Sequence, residues 1–221
     1  MGSTSSSPGE NQTATVAGLE PFPDDFFARH DDGPDAVFYE PVRLVTHIDA
    51  AAIAAVGALY AELKIDGEVL DLMSSWISHF VEPPQHLTVL GMNQRELDCN
   101  LTATKRVLHD LNERPTLPFA DGTFDDVVCC VSVDYLTHPV DVFTDVGRVL
   151  RPGGRFVTTF SNRCFPAKAI RGWSTSDDAT HMHIVSTYFE LSGAFSPATV
   201  EVRVQPGLDH DPLYAVWATR S

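Results

Sequence analysis

Two stretches of the sequence decide the fold: LPFADGTFDDVVC at residues 117–129 and VGRVLRPGGRFV at residues 146–157. In the first, Asp121-Gly122 is a turn signal, and the apolar run after it is typical of a buried strand. In the second, the apolar face of a helix that begins near Pro139 continues up to RPGG, which ends it before another apolar strand. The two stretches therefore predict a strand, a helix and a strand in succession, which is the unit of a parallel sheet.

The same alternation continues on both sides of these stretches. Asp49 is placed to cap a helix over 49–63, and Asn93, with Glu96 three residues later, resembles a capping box that begins another helix. We predict strands at 69–72, 86–92, 105–111, 126–133, 154–161, 199–205 and 212–219, and further helices at about 75–80, from Pro139 and at about 176–192. This order predicts an α/β fold with a doubly wound, mostly parallel sheet, and the last two strands predict an antiparallel hairpin.

The composition narrows the class of partner. Thirty Asp and Glu against fifteen Lys and Arg give a net charge of −15, which repels phosphate backbones and anionic membrane surfaces, and no basic patch offsets it. We therefore expect a small-molecule partner, with no nucleic acid and no membrane. The four cysteines show neither zinc spacing nor a disulfide framework, so we expect no metal site and a reducing, cytoplasmic environment. The oligomeric state is not indicated by the sequence.

The element order and the two quoted stretches together resemble the class I S-adenosylmethionine-dependent methyltransferases, in their small-molecule branch, over about residues 45–220. PGG alone would be a weak signal, but LPF, an acidic-Gly turn, FD, a strand and LRPGG at this spacing form a specific combination. The resemblance implies a Rossmann-like, doubly wound sheet of seven strands with an antiparallel last strand. It also implies that S-adenosylmethionine lies across the carboxyl ends of the first strands, where the strand order reverses.

We divide the chain into three segments. We expect residues 1–33, which begin with the polar run MGSTSSSPGENQTATVAG, to be a disordered tail. Residues 34–65 then form an N-terminal cap segment and helix, and residues 66–221 form the Rossmann-like domain. The polar start does not resemble an export signal, and no run reaches the roughly 18 apolar residues of a membrane span.

The first cofactor loop departs from the family pattern, in which an acidic residue is followed by Gly-x-Gly-x-Gly. Here Asp71 is followed by Met73, Ser74 and Ser75, with no glycine. Glycine lets the backbone approach a ligand closely, so Met73 and Ser75 should push the methionine part of the cofactor outward or reshape the loop. We expect the missing glycine contacts to the cofactor to be replaced by serine hydroxyls and by free N–H groups at the start of a helix behind Ser75. The alternative is a decayed site, with a serine as a helix cap and Trp76 as core filler.

Other cofactor contacts are implied by position. In the family, an acidic residue after the second strand hydrogen-bonds the ribose hydroxyls. Here Asn93 stands at that position, and it either hydrogen-bonds a ribose hydroxyl or only caps a helix. Glu96 is the alternative candidate for the acidic residue. Asp110 and Leu111 match the position where a carboxylate accepts from the adenine amino group and the next backbone N–H reaches a ring nitrogen. Ser132, at the end of the fourth strand, is a further cofactor-binding candidate.

The catalytic candidates are Asp134, Tyr135, His138 and His47. Methyl transfer mainly requires alignment of nucleophile and methyl, and at times a base. The first three residues follow the fourth strand, where related enzymes place groups beside the methyl, and His47 precedes the sheet. The alternatives are an exposed turn residue for His138, a core aromatic for Tyr135 and a helix-capping neighbour for His47.

The substrate-binding candidates are Tyr39, Arg43, Asn162 and Arg163. The first two belong to a segment that is expected to fold over the pocket, and the other two follow the fifth strand. An arginine there either clamps a substrate carboxylate or forms a surface salt bridge. We therefore expect an S-adenosylmethionine-dependent methyltransferase of a small molecule. The alternative is a non-catalytic ligand-binding or scaffold relative, or an enzyme that uses the same cofactor for other chemistry.

Overall fold

The computed structural model describes residues 22–221, and this part of the chain forms a single seven-stranded sheet with helices packed on both faces. The strands are β1 Glu68–Leu72, β2 His86–Gly91, β3 Lys105–Leu108, β4 Phe124–Cys130, β5 Leu150–Phe160, β6 Thr199–Val204 and β7 Leu213–Thr219. The helices are α1 Asp35–Phe38, α2 Ala50–Glu62, α3 Gln94–Cys99, α4 Pro139–Val149, α5 Arg171–Ser174 and α6 Asp178–Ser192, and a 3-10 turn spans Val133–Tyr135.

The strand order is β3-β2-β1-β4-β5-β7-β6. Strands β1 to β5 pair in parallel, and β7 runs antiparallel to both β5 and β6. The predicted Rossmann-like α/β fold, with seven strands and an antiparallel last strand, is confirmed. The order reverses between β1 and β4, so a crevice opens at the carboxyl ends of these two neighbouring strands.

The two faces of the sheet bury separate apolar clusters. Leu70 and Leu72 of β1 pack with the buried faces of α4 and α6, whereas Val69 of the same strand packs with α2. Successive side chains of a strand point to opposite faces, and covering both faces explains why β1 and β4 are apolar throughout most of their length. This double burial fixes the strand ends that carry the cavity described below.

The helix starts follow their capping residues. The Asp49 carboxylate accepts from the backbone N–H of Ala52 at 2.9 Å, and Asn93 caps α3 by accepting from two backbone N–H groups. Pro139 begins α4, and Gly193 ends α6 in the left-handed conformation at φ 64°. These predicted boundaries are confirmed.

The helix predicted at about 75–80 is wrong, because this stretch is an irregular loop with a bend at Trp76. Its polar groups have partners elsewhere in the sequence. The Ser74 N–H donates to Leu90 O at 2.7 Å, the Trp76 indole donates to Val45 O, and Asn100 donates to Ser75 O. His79 also has φ 50°, which interrupts any helix. No helix start therefore lies behind Ser75.

Two strand boundaries also differ from the prediction. β3 ends at Leu108, because the chain turns at Asp110, whose carbonyl accepts from the Arg114 N–H at 2.9 Å. β5 begins at Leu150, immediately after α4, and therefore includes the RPGG that was expected to precede it. The first change places residues 109–111 in a turn at the sheet edge.

The predicted tail 1–33 is wrong for its second part. Residues 1–21 lie outside the described residues, but Phe22, Phe26 and Phe27 pack against the core cluster beside Tyr188. Three aromatic side chains bury enough apolar surface to hold a segment that contains no long helix. The chain thus reaches the domain well before residue 33.

A buried lysine attaches this N-terminal segment to the loop after β5. Lys168 has no exposed surface, and its ammonium donates to Asp31 O at 3.2 Å and Gly33 O at 2.7 Å. It also lies 3.0 Å from the carboxylate of Asp35, which pairs with Arg29 at 2.8 Å. Since a buried charge is costly without partners, this cluster holds residues 29–35 in one position.

We predict that Lys168→Met lowers the free energy of unfolding by about 3 kcal/mol, because it leaves buried acceptors without their donor. Urea unfolding measures the loss. Arg171→Ala is the matched control, since the Arg171–Asp25 pair also joins the N-terminal segment to the region after β5, but its side chains are 61% and 55% exposed. The control should cost no more than about 1 kcal/mol. Equal losses in the two variants would contradict the role of the buried cluster.

Candidate functional site

A cavity of about 290 Å³ lies at the carboxyl ends of β1, β2, β3 and β4. The residues that directly follow these strands line it, and so do residues 43 and 45–47 of the segment before α2. Its volume is near the lower end of the range for small-molecule sites, about 300–1,000 Å³. The segment before α2 therefore forms one wall of a pocket located where the strand order reverses.

Most of the predicted site residues meet in this cavity. Its lining includes Asp71, Met73, Ser74, Ser75, Asn93, Asp110, Leu111, Ser132, Tyr135, His47, Tyr39, Arg43 and Arg163. Three predicted residues are not brought to it: Asp134 is buried, and His138 and Asn162 are exposed elsewhere. Trp76 and Met73 line the cavity without filling it.

The first loop turns without glycine. Met73 has φ 55°, in the left-handed region that glycine favours, and so makes the turn at some cost in strain. The Ser74 carbonyl lies against Gly91, where an added Cβ would come within 2.1 Å of it. Gly91 therefore lets the Ser74 backbone pack directly against β2.

Asp71 is buried at the base of this loop. Its carboxylate accepts from the Ser74 hydroxyl at 2.6 Å, and it is only 4% exposed. Burial raises the pKa of Asp71 to about 6, although the hydroxyls of Ser74 and Ser78 act in the opposite direction. The serines of the loop thus stabilise the ionised form of the acid that precedes them.

Glu96 joins the loop to the segment before α2. One carboxylate oxygen accepts from the Ser75 hydroxyl at 2.6 Å, and the other accepts from the Arg43 N–H at 2.6 Å. The Trp76 indole donates to Val45 O at 3.1 Å in the same region. Trp76 therefore contacts the covering segment and does not serve as core filler.

The side-chain amide of Asn93 forms all of its hydrogen bonds within the protein. Its amide nitrogen donates to Tyr39 O at 2.8 Å and Glu40 O at 3.0 Å, and its amide oxygen caps α3. Of the two roles that the sequence left open, helix capping is the one the structure gives. No amide atom is left for a ribose hydroxyl in this conformation.

The turn after β3 presents polar groups to the cavity. One oxygen of Asp110 accepts from the backbone N–H groups of Asn112 and Glu113 at 2.9 and 3.2 Å. Its other oxygen and the Leu111 N–H have no hydrogen-bond partner among residues 22–221. Asn112 anchors the turn by donating to Asp35 and to Tyr135 O. The free Asp110 oxygen, an acceptor, and the Leu111 N–H, a donor, therefore lie on adjacent residues at the cavity.

An aromatic wall, which the sequence did not predict, surrounds Phe165. Its ring centroid lies 5.4 Å from that of Phe38, 6.5 Å from Tyr39, 5.9 Å from Tyr135 and 5.1 Å from His47. The Phe165 N–H donates to the Tyr135 hydroxyl at 2.8 Å. The signal in the sequence was its position directly after Arg163 and Cys164, at the exit of β5. This wall can hold a planar group.

Two arginines stand beside this aromatic wall. The Arg43 guanidinium lies 4.9 Å from the Phe38 ring centroid and donates to Phe38 O at 2.9 Å. Arg163 donates to Asp211 at 2.7 Å, and its side chain is 64% exposed. The remaining N–H groups of both arginines are suited to an anion.

The titratable groups differ in what they can do at neutral pH. The His47 ring packs edge-on against Phe165, and desolvation lowers the pKa of its imidazole, although Glu96 opposes the shift. Burial raises the pKa of Tyr39 far above its usual range. Burial also raises the pKa of Asp134 to about 8, so this acid is protonated at neutral pH. Asp134 does not line the cavity. A neutral His47 can accept a proton, whereas Asp134 cannot.

The described part of the chain contains no group of three or more His, Cys, Asp or Glu side chains placed to hold a metal ion. Over the same residues, no helix has the length and apolar character needed to cross a membrane.

Comparisons with known proteins point to methyltransferases. Residues 85–158 match the family described as Methyltransferase domain. The biotin biosynthesis bifunctional protein BioHC of Teredinibacter turnerae is 26% identical over 97 residues, which are 43% of this chain and only 16% of that protein.

Solved structures share the fold. An S-adenosylmethionine-dependent methyltransferase from Thermotoga maritima aligns with a TM-score of 0.58 and 14% identity over 77% of this chain and 89% of that chain. The [4+2]-cyclase SpnF aligns with a TM-score of 0.51 and 12% identity, over 74% of this chain and 80% of that chain. Members of the matched methyltransferase family use S-adenosylmethionine as cofactor. The resemblance to S-adenosylmethionine-dependent methyltransferases that the sequence predicted is confirmed by the family match over residues 85–158, and the fold is one that solved structures of such enzymes share.

Proposed function

We propose that the protein transfers a methyl group from S-adenosylmethionine to a small molecule with a planar body and a carboxylate. One observation carries the proposal: a single cavity joins the polar turn at Asp110 and Leu111 to an aromatic wall beside two arginines. The first part suits a nucleoside cofactor, and the second suits an anionic acceptor. When bound, the cofactor supplies an electrophilic methyl group on a sulfonium.

The polar turn is the best support for cofactor binding. The unpaired Asp110 oxygen is an acceptor for an exocyclic amino group, and the Leu111 N–H is a donor for a ring nitrogen. The serine loop adds hydroxyls where the family has glycine amides. Asn93 is not available for the ribose, so Glu96, which also lines the cavity, is the remaining acidic candidate there.

The substrate end is supported by charge and shape. The whole chain has a net charge of −15, and Arg43 and Arg163 nevertheless both line the cavity. Four carboxylates also line the cavity and Arg163 pairs with Asp211, so the preference for a carboxylate on a flat molecule rests on Arg43 beside the aromatic wall. The segment before α2 covers the pocket and limits access of water to the reacting atoms.

Among the predicted catalytic residues, His47 and Tyr135 line the cavity, whereas Asp134 and His138 do not. We assign the proton-accepting role to His47, because its imidazole is neutral at physiological pH and stands at the aromatic wall. Tyr135 positions Phe165 through its hydroxyl.

A second function is favoured by one observation. The fold is shared with a [4+2]-cyclase, so the fold alone does not determine methyl transfer. A methylated product from a labelled donor distinguishes the two functions, because a cyclase or a ligand-binding protein would bind the cofactor without consuming it.

We predict that Asp110→Asn weakens binding of S-adenosylhomocysteine by about tenfold or more, because the amide cannot reproduce the charged acceptor. Isothermal titration calorimetry measures the dissociation constant. The amide oxygen can still accept from Asn112 and Glu113, so the turn should remain folded. Glu113→Ala, which removes a neighbouring exposed carboxylate, is the control and should bind as the wild type does. Unchanged affinity in Asp110→Asn would remove the turn from the cofactor site.

We predict that methyl transfer is independent of pH above about 7 and declines in acid, because a His47 pKa below the ordinary value keeps the base form populated at neutral pH. His47→Gln should reduce the rate by about a hundredfold. It should also remove the part of the decline in acid, the acid limb of the pH–rate profile, that is due to protonation of His47. A limb that persists near pH 6 would belong to Asp71. The measurement is a pH–rate profile with labelled donor and a panel of aromatic carboxylates. His138→Gln is the control, and a comparable loss in that variant would contradict the assignment.

A further inference from the structure

Exposed apolar side chains are concentrated beside the cavity. Residues 22–221 contain eleven large apolar side chains that are exposed, and six of these belong to the segment before α2 or to the loop after β1. The six are Val37, Val42, Leu44, Val45, Ile77 and Val81. Single exposed apolar side chains are ordinary, but a group of them beside a cavity marks a binding surface.

Three residues of these two segments form an apolar mouth to the cavity. Val45, Trp76 and Ile77 all line the cavity, and Val45 is also 55% exposed and Ile77 37% exposed. The Trp76 indole donates to Val45 O at 3.1 Å, which holds the two segments together at this point. Apolar surface that a ligand can reach therefore continues from the interior of the cavity to the outside of the protein.

The apolar mouth adjoins the proposed substrate end of the cavity. Val45 is two residues from Arg43 and two residues from His47, so its Cα lies at most about 7 Å from the Cα of each. All three residues line the cavity. The proposed function places the substrate carboxylate at Arg43 and the proton acceptor at His47. A substituent on a planar body held there is therefore within reach of the mouth.

The size of the mouth and the charge of the protein favour a part of the substrate as its occupant. A stable protein–protein interface takes about 20–30 residues from each partner, whereas the mouth has only three. The net charge of −15 opposes contact with an anionic membrane surface. The mouth is also continuous with the cavity, so its occupant contacts the ligand inside. An aliphatic chain that extends from the bound substrate agrees with all three observations.

We propose that the substrate is a planar carboxylic acid with an aliphatic chain, and that this chain leaves the cavity over Val45, Trp76 and Ile77. The inference rests on the proposed function and adds the class of substituent to it. Each methylene group that moves from water onto the apolar mouth increases affinity. The mouth is open to solvent on one side, so it covers about half of each group and the gain is about twofold per methylene.

The test uses 4-alkoxybenzoates with one to six carbon atoms in the chain, titrated by calorimetry into the protein saturated with S-adenosylhomocysteine. Affinity should rise about thirtyfold across the series. In the double variant Val45→Ser with Ile77→Ser, the rise should fall to about fivefold or less. Both side chains are exposed, so the fold is retained. Leu208→Ser, which changes a fully exposed leucine outside the cavity lining, is the control and should keep the wild-type rise.

The outcomes separate the inference from the proposed function. Chain-length dependence is compared within each protein, so an effect of a substitution on binding of the planar body does not enter the comparison. Equal affinity across the series in the wild type, or the full rise in the double variant, overturns the inference while the proposed function stands. If no benzoate binds to the loaded protein, the proposed acceptor fails together with the inference. If S-adenosylhomocysteine does not bind either, the proposed cofactor use fails as well.

A second copy of the chain is the other occupant that the experiment distinguishes. Light scattering during size-exclusion chromatography should give the same mass for the wild type and the double variant. A wild-type dimer that the double variant does not form would place a second copy on the apolar mouth, and it would contradict the inference.

Discussion

The contact between the Ser74 backbone and β2 is the constraint on which the site depends. The Ser74 N–H donates to Leu90 O at 2.7 Å, and the Ser74 carbonyl lies where any side chain at Gly91 would stand. This pairing holds the loop after β1 in an extended path in place of a glycine turn followed by a helix. The positive φ of Met73, the hydroxyl bond to Asp71 and the exposure of the loop to the cavity all follow from that path.

The same path explains why the segment before α2 belongs to the site. Because the loop does not enter a helix, the Ser75 hydroxyl and the Trp76 indole are free to reach Glu96 and Val45. Glu96 also accepts from the Arg43 N–H, so the cofactor loop and the covering segment share one carboxylate. The proposed cofactor and substrate ends of the cavity are thereby joined by short polar contacts.

The sequence predicted most of the fold, and physical reasons account for the parts it missed. Strands β4 and β5 and helix α4 follow from apolar periodicity, a turn and RPGG, which are local signals. The helix predicted at about 75–80 was wrong because long-range partners such as Leu90 and Val45 outweigh local preference. Asp110 and Leu111 were predicted from a motif position, and both line the cavity. Phe165 was missed, because an aromatic cluster exists only after distant segments meet.

The central claim is that a loop without glycine, supported by Gly91 from the next strand, leaves a cavity that binds S-adenosylmethionine. A crystal structure of the protein grown with S-adenosylhomocysteine tests this most directly. We expect density for the ligand with its base at Asp110 and its amino-acid end beside Ser74. Density for the Trp76 or Met73 side chain in that space, with no ligand bound at saturating concentration, would contradict it.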